Sequence, residues 1–207
     1  MGQITAIEPQ ARHANRFNLY IDNDFALGLS AIVAAKLRVG QTLSNSELSA
    51  IEREEALETA HEQALRFLEA RPRSSTEVKQ RLRKKQVADE VIDQIVARLQ
   101  EVGLIDDAAF AKFWVENREE FRPRAARALR FELKRKGLAN DVIDGVVNTV
   151  DEKESAYRAG TARAARWRTL DRREFMEKLI AFLARRGFSY PVAKDAAKQL
   201  WDENHET

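Results

Sequence analysis

The stretch RLRKKQVADEVIDQI at residues 81–95 is written again as ELKRKGLANDVIDGV at 132–146, and a third, more divergent copy, FLARRGFSYPVAKDA, begins at Phe182. The copies stand 51 and 50 residues apart. A period of that length belongs to helical arrays and commits most of the chain to a repeat architecture. Laid over one another, the copies agree position by position. Val78, Leu129 and Leu179 coincide, as do Leu82, Leu133 and Leu183. The i, i+4 spacing within each pair sets both residues on one helix stripe facing a core. A linker follows that holds Gly137 and Gly187, suited to the left-handed end of a helix, with Gln86 at that place in the first copy. One apolar residue comes next in each copy: Val87, Leu138, Phe188.

The last helix of each unit repeats Val91, Val142 and Val192, then Ile95, Val146 and Ala196, then Leu99, Val150 and Leu200. This i, i+4, i+8 series predicts one buried face. Asp89 and Asn140 stand where an N-cap is expected, with Ser189 and Pro191 doing similar work in the third copy. Asp106 and Asp151 are expected to cap a first helix, whose apolar side in the second copy is Phe110, Phe113 and Trp114. Each repeat is thus a three-helix unit. None is rich enough in large apolar residues to be comfortable alone, so the fold expected is a tandem, elongated and curved array.

The first 60 residues read differently. QITAIE, RFNLYI and FALGL alternate with a period of two, Phe17, Leu19 and Ile21 sharing a face, and Asp22-Asn23-Asp24 supplies a turn. A small antiparallel sheet is expected, then a short helix from Ser30 to Leu37 closed by Gly40. A second helix starts at Ser44, whose Ser44-x-x-Glu47 spacing is a capping box. A helix break is expected near Thr59 to Glu62. The predicted organisation is a strand and helix module over 1–60 and three-helix repeats over 61–106, 107–151 and 152–207, a mainly α fold behind a small β-sheet.

Composition bears on function chiefly by exclusion. Charged residues make up 33% of the 207 residues and cysteine is absent, which removes disulfides and thiolate metal sites. No apolar run reaches the ~18 residues of a membrane span and no signal-peptide core opens the chain, so a cytoplasmic protein is the expectation. MGQITA fits a myristoylation pattern loosely, but a strand is the better reading of it. His13, His61 and His205 lack metal-ligand spacing, and no phosphate loop or nucleophile elbow is present. No catalytic residue, metal or cofactor is predicted. Phe67, Phe110, Phe113, Trp114, Trp167 and Trp201 sit at helical spacing and read as core.

The net charge of +2 conceals its placement. Seven bases stand against one acid, Glu77, from Arg71 to Lys85, and seven against Glu132 from Arg122 to Lys136. In the third copy the window falls to five against two. Arg127, Arg130 and Lys134 follow i, i+3, i+7 and share a face, and Lys79 shares one with Arg83. Three readings compete. The bases can pair with acids of the following helix (Asp89, Glu90, Asp93; Asp141, Asp144) and, in the last turn, complement the helix dipole. They can contact phosphate. They can meet an acidic protein partner, even one coated on nucleic acid. Recurrence in two copies raises the last two readings above the first without separating them.

RPRSSTEV, RLRKKQ, VGLIDDAAFAKFWVENR and ELKRKGL together resemble the RecX family of RecA-modulating regulatory proteins. The resemblance is closest from Arg71 to Val147. Its most specific piece is Gly103-Leu104-Ile105-Asp106-Asp107, then Phe110-Ala111 and Arg118. Two departures stand out: Gln86 at a linker position where glycine is usual, and EEFRPRA where a glycine before Pro123 is common. The resemblance implies a non-enzymatic regulator that binds the RecA filament on single-stranded DNA. Such a regulator restrains recombinase, ATPase and co-protease activity in DNA repair and the SOS response. Weak direct DNA contact is allowed and no membrane is involved. The contact face expected is Arg73, Lys79, Arg83, Lys84, Arg124, Arg127, Arg130, Lys134 and Arg135. The alternative is a direct DNA binder of helix-turn-helix type, which the acidic last helices DEVIDQIV and NDVIDGVV suit badly.

Overall fold

The computed structural model describes residues 1–11 and 13–205. They form a four-stranded sheet followed by helices, in two compact units. One unit comprises residues 1–71 and 78–105, the other 72–77 and 106–207.

In the first unit, β1 (Gly2–Gln10), β2 (His13–Ile21) and β3 (Asp24–Ser30) make an antiparallel meander. Asp22 and Asn23 turn between β2 and β3 with φ of 52° and 70°. Two positive φ values mark the primed hairpin turn whose twist matches the strands it joins. Leu19 is fully buried, with Phe17 and Ile21 packed at the rim of the same core, as the alternation predicts. A fourth strand, β4 (Thr42–Leu43), pairs with β1 at Gly2 and Gln3. Two residues are too short to show a period, so the sequence does not announce it.

The short helix α1 covers only Ala31–Ala34, where the pattern predicts Ser30 to Leu37, and Ser30 is its N-cap rather than its first turn. The predicted break near Thr59 is absent. Helix α2 runs unbroken from Asn45 to Leu68 behind the Ser44–Glu47 capping box. It contains neither Gly nor Pro, and its apolar residues change partner along its length: Ile51 packs against the sheet, Ala60 and Ala64 against the first repeat core. With α3 (Ser75–Arg83) and α4 (Asp89–Glu101) it encloses Val78, Leu82, Ile92, Ile95, Val96 and Leu99.

The second unit holds α5 (Asp107–Phe121), α6 (Ala126–Arg135) and α7 (Asn140–Val147), then α8 (Glu152–Arg166), α9 (Arg172–Arg185) and α10 (Tyr190–His205). The middle-helix leucines Leu129, Leu133, Leu179 and Leu183 are all fully buried. The last-helix stripe holds in α4 and α10, where Ile95, Leu99, Ala196 and Leu200 are buried, and shifts by one residue in α7. Ile143 and Val147 are the buried positions of α7, Val142 and Val146 lie at their rim, and Val150 falls beyond the helix end. Ile92 and Ala193 are the matching buried residues of α4 and α10. A stripe broader than a single i, i+4 row is what a helix packed on two neighbours requires.

Caps divide likewise. The Asp106 carboxylate accepts from Ala108 N at 2.8 Å and Ala109 N at 3.0 Å, and Asp151 holds α8 in the same way. Asp89 and Asn140, expected as N-caps, are instead the first helical residues behind Ala88 and Ala139, which make no side-chain cap bond. Asp89 spends its carboxylate on Arg83. Phe113, expected on the apolar side of α5, is about one-third exposed at 36%.

Candidate partner interface

The repeated joint between middle and last helix is where the bases concentrate, and its backbone explains its sequence. Gln86, Gly137 and Gly187 all hold positive φ, at 61°, 81° and 99°. In each copy the next amide donates to the carbonyl five residues back: Val87 to Leu82, Leu138 to Leu133, Phe188 to Leu183. That is the Schellman closure of a helix, and any residue that tolerates the left-handed region can make it.

Glycine is demanded in the second and third copies for a further reason. The segment leading into α3, residues 74–77, seats on the α6–α7 joint: Ser74 Oγ donates to the Lys136 carbonyl at 2.7 Å and Thr76 Oγ1 to the Gly137 carbonyl at 3.3 Å. A Cβ on Gly137 would stand 2.2 Å from Thr76 Oγ1. The corresponding segment ahead of α6 seats on the α9–α10 joint. There Ala125 N donates to the Arg186 carbonyl, Arg186 Nη1 to the Pro123 carbonyl at 3.1 Å, and Arg127 Nε to the Gly187 carbonyl. A Cβ on Gly187 would stand 2.9 Å from that of Ala128. The first joint has no repeat before it, and Gln86 is exposed. Its departure from glycine marks the start of the array.

The predicted contact bases are distributed by these joints. Lys79 Nζ pairs with Asp93 at 2.7 Å, Arg83 Nε with Asp89 at 2.8 Å, and Arg130 Nε with Asp144 at 3.1 Å, Asn148 also taking Arg130. These are the partners that the intramolecular reading of the charges names. The hydrogen bond and charge of Lys79 hold the Asp93 carboxyl below its ordinary range. All three pairs are exposed, and such pairs contribute little stability, so a partner's acids can displace them. Arg124 Nη1 lies 2.9 Å from Glu132, which also accepts from Arg118 Nε at 2.8 Å and Trp114 Nε1 at 2.7 Å. Arg127, Arg130 and Lys134 therefore do not form one open face, since Arg127 turns to the joint and Arg130 to α7. Arg73 is half-buried just ahead of α3. Lys84, Lys134 and Arg135 are exposed, and among the described residues no carboxylate lies within 4 Å of their charges. Arg135 rests 5.8 Å over the Phe131 ring, itself 63% exposed.

Three bases left out of the expected contact face hold equivalent places at the joints: Lys85, Lys136 and Arg186. The signal was available in the 51- and 50-residue register that aligns the leucines. Burial and the charges of Arg124, Arg163 and Arg122 push the Arg186 guanidinium below its ordinary range. Among the described residues no His, Cys, Asp and Glu cluster could hold a metal, and no helix is long and apolar enough to cross a membrane.

Interlocked joints, one buried i, i+4 apolar pair per copy and a leading sheet define a tandem three-helix-repeat protein. Comparison with known proteins agrees. Residues 2–44 match the model of the regulatory protein RecX N-terminal domain, and residues 60–99, 106–147 and 151–197 match the first, second and third RecX three-helix domains. The chain belongs to the RecX family. It is 37% identical over 153 residues to the regulatory protein RecX of Streptomyces coelicolor, covering 72% of this chain and 81% of that one. Against the regulatory protein RecX of Bacillus subtilis it is 28% identical over 208 residues, covering 98% and 79%. A crystal structure of a regulatory protein RecX superposes with a TM-score of 0.69 at 23% identity, covering 96% of this chain and all of that one. RecX from Lactobacillus salivarius gives 0.61 at 20% identity, over 71% and 97%. These two likenesses establish the fold.

Proposed function

We propose that the chain is a non-enzymatic regulator that binds the RecA filament on single-stranded DNA and restrains its recombinase, ATPase and co-protease activities. Membership of the RecX family across all four domain models is the observation that carries the reading. The charge pattern supports it. A filament repeats its own subunits, and a chain offering an exposed basic helix end in each of its first two repeats can gain affinity from several weak contacts held at high effective concentration. Lys84, Lys134 and Arg135 supply those ends. Lys79, Arg83 and Arg130 reinforce them by releasing exposed acids, while Arg73, Arg124 and Arg127 sit at the joints and set the geometry.

The helix-turn-helix alternative fares worse. The helix that would enter the major groove carries Asp89 and Glu90 in the first turn of α4 and Asp141 in that of α7. Carboxylates there repel phosphate.

The test falls on Lys84, Lys134 and Arg135 changed together to glutamate. Arg127 and Arg130 are unsuitable because reversing them would break a joint and an interhelical pair. The triple variant is expected to melt like the wild type and to lose at least about tenfold in apparent affinity for the filament, read as inhibition of RecA ATPase and strand exchange. Unchanged inhibition would remove these helix ends from the interface.

A further inference from the structure

The place beside the joint base is filled in the second repeat and open in the other two. In the second, Glu132 lies in a nest of Trp114 Nε1, Arg118 and Arg124, and Lys136 Nζ takes Glu77 Oε1 at 2.7 Å while lying 4.7 Å over the Trp114 ring. Two carboxylates, from α6 and from the segment seated on the joint, neutralise the bases there. Both are about 15% exposed or less, at 15% and 14%.

In the first repeat Glu132's position is Arg81 and the joint base is Lys85. A cavity of about 370 Å³ or less opens at each unfilled copy; the first, about 350 Å³, is lined by Gln63, Arg66, Phe67, Arg81 and Lys85, with Arg81 5.6 Å over the Phe67 ring. No carboxylate lines it, and the Gln63 side-chain oxygen is buried there without a hydrogen-bond partner. Among the described residues the carboxylate paired with Arg66 is Glu62, at 3.8 Å on the same helix. In the third repeat Glu132's position is Phe182 and the joint base is Arg186. Glu77's counterpart in the segment seated on that joint is Ala128, so that segment brings no acid. A cavity of about 370 Å³ there is lined by Arg163, Arg166, Phe182 and Arg186, with Arg163 at 5.2 Å and Arg186 at 4.7 Å over the Phe182 ring. Glu119, Glu120 and Arg158 also lie on its wall; Arg158 and Ser155 both take Glu119 Oε2, while Glu119 Oε1 is buried without a hydrogen-bond partner, so the four arginines outnumber the two carboxylates. Among the described residues no carboxylate pairs with Arg163, Arg166 or Arg186.

We propose that the first and third copies are open carboxylate sites, each taking an acidic side chain from a protein partner as the second copy takes Glu77 and Glu132 from its own chain. The filled copy supplies the ligand chemistry by example: its joint base Lys136, beside the Trp114 ring, takes a carboxylate. Guanidinium groups already stacked on a ring offer their in-plane N–H donors in the fork that a carboxylate matches. Desolvated beside an aromatic wall, such a pair is stronger than one on an open surface. The inference goes beyond the filament reading and stands on the internal comparison alone.

The test uses the full chain labelled with ¹⁵N and titrated with hexaglutamate, with hexaglutamine and a six-nucleotide oligothymidylate as the other arms. The Nε–H signals of Arg81 and Arg186 are expected to shift saturably with hexaglutamate at a dissociation constant on the order of 1 mM, while Arg118, in the filled copy, stays put. Arg66→Gln with Lys85→Gln weakens the first site, read at Arg81, at least about tenfold and leaves the third unchanged; Arg163→Gln with Arg166→Gln does the reverse, read at Arg186. Arg186 itself is left intact because it holds the Pro123 carbonyl. Absence of saturation at both signals, equal movement of Arg118, or tighter saturation by the oligothymidylate overturns the proposal. None of these outcomes touches the filament assay, so the two readings fail separately.

Discussion

Gly137→Ala is expected to destabilise the second compact unit by about 3 kcal/mol. Two effects add. An alanine held at the φ of 81° carries a left-handed penalty of about 1–2 kcal/mol. The new Cβ would also stand 2.2 Å from Thr76 Oγ1 and 2.4 Å from its Cβ, so the seated segment must shift, an overpacking penalty of about 1–3 kcal/mol. Gly103 separates the two. It has a φ of 72° with nothing within 4 Å of its Cβ direction, so Gly103→Ala is expected to lose only the backbone part, about 1–2 kcal/mol. Gln86 already bears the left-handed strain, and Gln86→Gly is expected to gain at most about 1 kcal/mol. The chain's three tryptophans, Trp114, Trp167 and Trp201, all lie in the second unit, so fluorescence-monitored urea unfolding reports Gly137→Ala directly. Native-state hydrogen exchange in α4 reports the other two. A Gly137→Ala loss no larger than that of Gly103→Ala would show that the seated segment is not held at the joint.

Glu55→Ala is expected to lose about 2–4 kcal/mol from the first unit, because it leaves the buried Ser30 amide unmet and the partly buried Arg16 guanidinium without its carboxylate. Glu55 is 5% exposed. Its Oε1 accepts from Arg16 Nη1 at 2.6 Å and Thr59 Oγ1 at 2.7 Å, and its Oε2 accepts the Ser30 amide at 2.6 Å. One carboxylate thereby ties β2, the end of β3 and the middle of α2. Replacing both partners, Arg16→Met with Glu55→Leu, removes the stranded charge and is expected to restore most of the loss, leaving the Ser30 amide unmet. Protection of β2 and β3 amides is the measurement, since this unit has no tryptophan. A single-variant loss below about 1 kcal/mol would mean that the pair stays hydrated.

Much of the repeat was legible because its signal is redundant. Leu82, Leu133 and Leu183 occupy one register in three copies, and each is buried completely. Asp106 and Asp151 announce their helices because a capping aspartate has few other roles at that place. What stayed hidden depends on what a residue meets at long range. Asp89 has the composition of a cap, but Arg83 claims it. Gln86 reads as an oddity until Gly137 and Gly187 are seen to be glycines for the sake of the segments seated on them. Glu55 reads as one more acid of a charged helix, because its partner Arg16 is 39 residues away. The candidate contact bases were legible as a group and not as individuals. Periodicity sets Lys79, Arg83 and Arg130 on helices, but only packing reveals that each faces an acid while Lys84, Lys134 and Arg135 do not.

The central claim is that the partner is the RecA–DNA filament. One retention experiment tests it most directly: the immobilised chain offered RecA alone, single-stranded DNA alone, and RecA assembled on single-stranded DNA with nucleotide, each at near-physiological salt. Strong retention of the assembled filament, weaker retention of RecA alone, and little retention of bare DNA are expected. Retention of bare DNA as strong as that of the filament, falling steeply with salt, would contradict it, as would no retention in any arm.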